Sequence, residues 1–205
     1  MSRIEYNPSL NDRVNGQLGD LGVEIQIPLS SIKALFTEPA PYKVYTALLT
    51  QSGSDELLGV NTGDLTIGIS YQIIENDGTG WDFTNVGAPN NNIGTYFVAT
   101  GITPNSWGTN EGGDLGTLQY NTGAPTVTVL QNTIGNVWFT YFGSGNYLIN
   151  SNGLFTVNKT FTQIIVLSSG PDFLFFYPSI NIIELLTTAG DNALINIPIE
   201  IRVYN

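Results

Sequence analysis

The sequence contains neither cysteine nor histidine. Their absence excludes Cys/His zinc sites, a cysteine nucleophile, a histidine general base and the Ser-His-Asp triad. No disulfide framework is available either, so the fold must be held by packing or by oligomerisation. Charge is also scarce: Asp, Glu, Lys and Arg make up 11% of the 205 residues, far below the ~25% usual for soluble domains. Only six residues are cationic, Arg3, Arg13, Lys33, Lys43, Lys159 and Arg202, and the net charge is −11. Binding to nucleic acid needs clustered Lys and Arg to neutralise phosphate, so no nucleic-acid partner is expected. The same acidic field repels anionic membranes. The opening MSRIEYNPSL has no apolar h-region, and no run approaches ~18 apolar residues; neither a signal peptide nor a spanning helix is expected.

What the chain does have is material for a β core. Hydrophobic residues reach 41% and aromatics 11%, ample for one domain of this length. Solubility falls to Asn, Thr, Ser and Gly. Between residues 124 and 167, β-branched and aromatic runs (Thr126 to Leu130, Val137 to Phe142, Tyr147 to Ile149, Thr160 to Leu167) alternate with Gly, Asn and Ser clusters. Antiparallel strands joined by tight turns are written this way, and the stretch reads as a β-meander. Ile134-Gly135-Asn136 and Ser151-Asn152-Gly153 place Gly and Asn where positive φ is expected.

The residues from Met1 to about Asp20 are polar and rich in breakers, and read as an extended arm, either one that orders on docking to a partner surface or a simple frayed terminus. Val23 to Ile27 alternates as a half-buried strand and Pro28 ends it. Ser30 to Phe36 fits one or two helical turns capped by Ser30 or Ser31. The stiff Glu38-Pro39-Ala40-Pro41 connector divides the chain into an N-terminal arm, 1–40, and a body, 41–205. Tyr42 to Thr50 is the first long strand of the body. Asp64 to Glu75 reads as another, with Leu65, Ile67, Ile69, Tyr71 and Ile73 on one face. Two polar excursions follow, 76–92 and 101–116, of a length that is uncommon unless they bind something or pack on a neighbour. Ile195 to Val203 alternates to the end, with Pro198 expected on an edge or at a bulge. About ten strands at this spacing predict an all-β fold, an antiparallel β-sandwich or jelly roll. So few charges leave little to guard the edge strands, so a neighbouring copy is expected to cover them, making the chain a homo-oligomer.

PYKVYTALLTQSG (Pro41 to Gly53), GAPTVTVLQNTIGNVWF (Gly123 to Phe139), GLFTVNKTF (Gly153 to Phe161) and IEIRVYN (Ile199 to Asn205) together resemble a β-rich virion protein type of tailed bacteriophages. The resemblance covers most of the chain after about residue 40. It implies a particle component, decorating the capsid or forming part of a head or tail fibre, with the major capsid protein or other virion proteins as partners. It also implies a trimer, since such sandwiches often meet at three-fold axes. These motifs carry no catalytic residue, so neither an enzymatic activity nor a cofactor is expected.

A few residues invite a ligand. Glu75, Asp77 and Asp82 lie close together in the first excursion, and paired carboxylates are what a glycosidase uses. Trp81 and Trp107, one in each excursion, offer flat surfaces for stacking a sugar of a host-surface glycan. The candidate ligand-binding set is therefore Trp81, Asp77, Asp82 and Trp107. Against it, acidic residues in Gly-rich turns usually favour the turn and nothing more. The same loop offers oxygens to calcium, but its spacing does not fit an EF-hand, and no metal ligand is assigned. Asn158-Lys159-Thr160 is formally a glycosylation acceptor, which without a secretory signal carries no meaning. Trp138, between Val137 and Phe139, reads as a core residue.

Overall fold

The computed structural model describes residues 13–18, 23–28, 41–74, 80–109, 117–164, 171–177 and 179–205. The chain divides into two compact units, Met1–Pro41 and Tyr42–Asn205. In the first, β1 (Arg13–Leu18) and β2 (Val23–Pro28) form an antiparallel pair with Leu18 opposite Val23 and Arg13 opposite Pro28. β2 is the alternating strand expected there. β1 lies within the stretch read as an extended arm, which therefore contains a paired strand. A polar segment without core-forming periodicity can still be a strand when a neighbour supplies its backbone partners. The helical turns expected at Ser30 to Phe36 lie outside the described residues.

The second unit is an all-β sandwich of two antiparallel sheets, with a third sheet inserted into its chain. β3 (Tyr42–Thr50) enters the first sheet, whose order is β10 (Thr126–Asn132), β3, β16 (Ile197–Tyr204), β13 (Thr160–Ile164). The second sheet runs β11 (Val137–Gly143), β12 (Asn146–Ser151), β15 (Ile182–Thr187), β14 (Phe173–Phe176). Alternation explains how they close on each other. Tyr45, Ala47 and Leu49 of β3 and Ile199, Ile201 and Val203 of β16 point inward, and meet Phe139, Tyr147, Ile149, Ile183 and Leu185 of the second sheet in one core. Each large side chain fully removed from water there contributes roughly 1.5–3 kcal/mol. On the outer face of β16, Arg202 pairs with Glu200 and its guanidinium lies 4.8 Å from the Tyr42 ring centre.

Residues 126–164 are not a simple meander. Only β11 and β12 form a hairpin within it; β10 and β13 belong to the opposite sheet. The connection after β10 crosses the sandwich because Ile134 is buried in the core. Asn132 ties that turn by accepting the N–H groups of Ile134 and Gly135 at 3.0 and 3.1 Å. The left-handed residues of the two turns are Gly135 (φ 127°) and Gly153 (φ 73°), while asparagine takes that conformation at 158, 192 and 196. Pro198 also departs from expectation, since β16 is an interior strand. It sits opposite Leu48 on one side, and the described β13 ladder begins one residue further on, at Ile199 opposite Ile164. Pro198 thus lies one residue beyond the described β13 ladder.

The third sheet, inserted between β3 and β10, has the order β4 (Leu57–Val60), β9 (Leu118–Asn121), β5 (Ser70–Ile73), β7 (Tyr96–Val98). It has its own core, including Leu65, Tyr71, Ile73, Phe83, Phe97 and Leu118. The strand expected over 64–75 is confined to Ser70–Ile73 within the described part of that span. Gly68 breaks it: at φ +89° the chain turns, Ile67 is left outside, and the Thr66 N–H donates to the Tyr71 hydroxyl at 3.1 Å. Trp138 is buried, as its flanks implied, with its ring 5.4 Å from that of Tyr96 and nearly parallel to it. No helix among the described residues is long and apolar enough to cross a membrane.

Candidate functional site

The two polar excursions meet. β6 (Trp81–Asp82) and β8 (Ser106–Trp107) pair antiparallel, setting Trp81 opposite Trp107 and Asp82 opposite Ser106. Both tryptophans are half-buried against the core of the third sheet. The Trp107 ring stands edge-on to Phe83 with centres 5.3 Å apart, a favourable aromatic geometry. Each indole N–H is already engaged. Trp81 donates to the Asn91 carbonyl at 3.0 Å and Trp107 to the Gly63 carbonyl at 3.1 Å. The rings therefore bolt the ribbon to the loops around it.

Asp82 is the polar centre of the ribbon. Its Oδ1 accepts from the Thr84 N–H (3.0 Å), the Thr84 hydroxyl (2.6 Å) and the Asn91 amide (3.3 Å), and its Oδ2 from the Asn105 amide (2.9 Å). The Thr84 contacts make a turn in which the carboxylate bonds the backbone two residues on, and start the 3-10 turn Thr84–Val86. Asn105 in turn donates its backbone N–H to Asn85 Oδ1, and the Asn85 amide donates to the Thr103 carbonyl. One carboxylate thus links the two excursions. The Thr84 hydroxyl first, then the Asn105 amide, hold its carboxyl well below the usual carboxylate range. A group so placed stays ionised and is poorly suited to deliver a proton as a general acid.

Of the candidate set, the structure brings Trp81, Asp82 and Trp107 into one ribbon. Asp77, and Glu75 beside it, lie outside the described residues. Among the described residues no group of three or more acidic side chains is arranged to hold a metal ion. Sequence reasoning passed over a second concavity. Between the third sheet and β11 lies a cleft of about 160 Å³ lined by Ser70, Gln72, Tyr96, Gln119, Phe139 and Tyr141 among others. Its residues sit on strands that are far apart in the chain, and nothing local marks them. Compared with known proteins, the chain matches no family model, no curated protein and no solved structure.

Proposed function

We propose that the chain is a non-enzymatic structural component of a tailed-bacteriophage virion, decorating or projecting from the capsid as a closed homo-oligomer. In this reading the N-terminal unit anchors it to the major capsid protein or another virion protein. The observation that carries the proposal is the edge formed by β13 and β14. Neither strand contains a charged residue, and Phe161, Leu174 and Phe176 on them are 47%, 48% and 48% exposed. Among the described residues, no backbone bond reaches these strands from outside the β13–β16 and β14–β15 ladders, apart from those of the adjoining turns. An uncharged, apolar, open edge is a template for pairing, which a covering partner would satisfy. A second copy meets that need through a self-complementary or ring-closing contact. The count of three rests on the resemblance in sequence.

Supporting the non-enzymatic part, the chain has no histidine or cysteine, and Asp82 is committed to holding the loops. Sedimentation equilibrium of the purified chain tests the proposal. A discrete closed oligomer, with a trimer as the expected species, agrees with it; a monomer at all concentrations contradicts it. Removing residues 1–41 is expected to leave the oligomer intact and to abolish its attachment to particles.

A further inference from the structure

The cleft between the third sheet and β11 is lined by uncharged side chains, apolar and aromatic ones together with amides and hydroxyls. Cross-strand register sets Gln72 of β5 opposite Tyr96 of β7 on one side and opposite Gln119 of β9 on the other. Three neighbouring strands therefore present Tyr96, Gln72 and Gln119 in one row on one face of the sheet, while the alternate residues Tyr71, Phe97 and Leu118 face its core. The facing wall is β11, held close where the Phe139 N–H donates to the Ser70 hydroxyl at 2.9 Å. Tyr141 closes one side. Its ring rests against Gly123, where a Cβ would come within 2.6 Å, and its hydroxyl donates to Asp191 at 3.0 Å. The Tyr96 ring stacks on that of Trp138.

Two features define what such a cleft accepts. The Gln119 amide donates to Gln72 Oε1 at 2.7 Å, and among the described residues the Gln72 amide N–H groups and Gln119 Oε1 have no partner. A donor and an acceptor thus stand side by side, which suits two adjacent hydroxyl groups of a ligand, one accepting and one donating. The volume, about 160 Å³, accommodates part of one sugar ring, and the cleft opens to solvent so that the rest of the ring and a longer chain can continue outward. No lining residue is charged, and the net charge of −11 disfavours anions. Aromatic walls with a few convergent amides are the usual make-up of a small-ligand site.

We infer that this cleft binds one ring of a neutral saccharide, with the Gln72–Gln119 pair reading vicinal hydroxyls between Tyr96 and Tyr141. The inference does not depend on the virion assignment and places saccharide recognition away from the Trp81–Trp107 ribbon. The test is titration of the full chain with glucose, galactose, mannose and N-acetylglucosamine and their disaccharides, followed by saturation-transfer NMR and by tryptophan fluorescence, Trp138 being stacked on Tyr96. At least one neutral saccharide is expected to bind at millimolar concentration or below. Gln119→Ala and the isosteric Gln72→Glu are each expected to weaken that binding at least about tenfold, with unfolding midpoints near the unsubstituted chain's. Absence of binding across the panel would overturn the inference. So would binding that survives both glutamine changes, or that is lost only on Trp107→Ala.

Discussion

The two sides of the sandwich are finished in different ways. On the side of β10 and β11, the inserted third sheet closes the edge from within the same chain. Val127 donates its N–H to the Gly68 carbonyl and Phe139 to the Ser70 hydroxyl, both at 2.9 Å, while the Asn136 amide reaches the Tyr96 carbonyl at 2.8 Å. β10 is further interrupted by a bulge between Val129 and Gln131, a common device for ending pairing at an edge. On the side of β13 and β14 nothing comparable is found among the described residues. Uncharged strands with outward apolar side chains occur on both sides, Leu130 and Phe142 on one and Leu174 and Phe176 on the other, so the difference lies in the backbone and side-chain bonds that close the first. One chain has therefore solved the edge problem covalently at one side and, on the proposed reading, by association at the other.

The sharpest way to break the covered side is Gly68→Val. A Cβ at this position would lie 2.4 Å from the Val127 carbonyl oxygen, and φ of +89° is costly for a branched residue. A loss of about 3 kcal/mol or more is expected in urea unfolding. An unchanged midpoint would mean that this turn does not close β10. The open side is tested by Leu174→Lys combined with Phe176→Lys. Association should weaken at least about a hundredfold, near 2.7 kcal/mol, by sedimentation. The separated body should keep its stability to within about 0.5 kcal/mol, because these side chains are exposed.

Tyr45→Phe serves as an internal control that touches neither edge. The Tyr45 hydroxyl is buried and has no hydrogen-bond partner among the described residues. Removing it is expected to stabilise the fold by about 1 kcal/mol in chemical denaturation, and a loss instead would reveal a partner. Burial also pushes the Tyr45 phenol up, so the folded state favours its neutral form. Below the ordinary tyrosine value of about 10 the phenol is neutral whether folded or unfolded; as pH rises above it the unfolded chain ionises first and the fold loses stability. Tyr45→Phe should accordingly flatten the alkaline decline. The smallest effect is assigned to Asp82, whose carboxyl is held below its ordinary range. Its contribution is complete above about pH 4 and declines as pH falls further, so Asp82→Asn should flatten the acid limb followed by tryptophan fluorescence.

How much of this was legible in the sequence depended on whether the signal was local. β3 and β16 were readable because Tyr45, Ala47 and Leu49, and Ile199, Ile201 and Val203, alternate without interruption. Sheet membership was not, since β10 carries the same period-two signal whether its successor pairs with it or crosses the core behind Ile134. The alternation through Leu65, Ile67 and Ile69 overstated β5, because Gly68 turns the chain where periodicity alone runs on. In the candidate site, the tryptophans stood out as aromatics in polar loops. Their pairing across 26 residues of separation, and the links of Asp82 to Thr84, Asn91 and Asn105, are products of the fold. The Gln72–Gln119 pair left still less trace, being two ordinary amides joined only by strand register.

The contrast between the two edges is tested most directly by amide hydrogen exchange of the full chain over a range of protein concentrations. The account predicts that amides of Phe161 to Ile164 and Phe173 to Phe176 gain protection as concentration rises, while those of Val127 and Phe139 are protected equally throughout. Exchange at β13 and β14 that is independent of concentration, in a chain that sediments as a monomer, would contradict it.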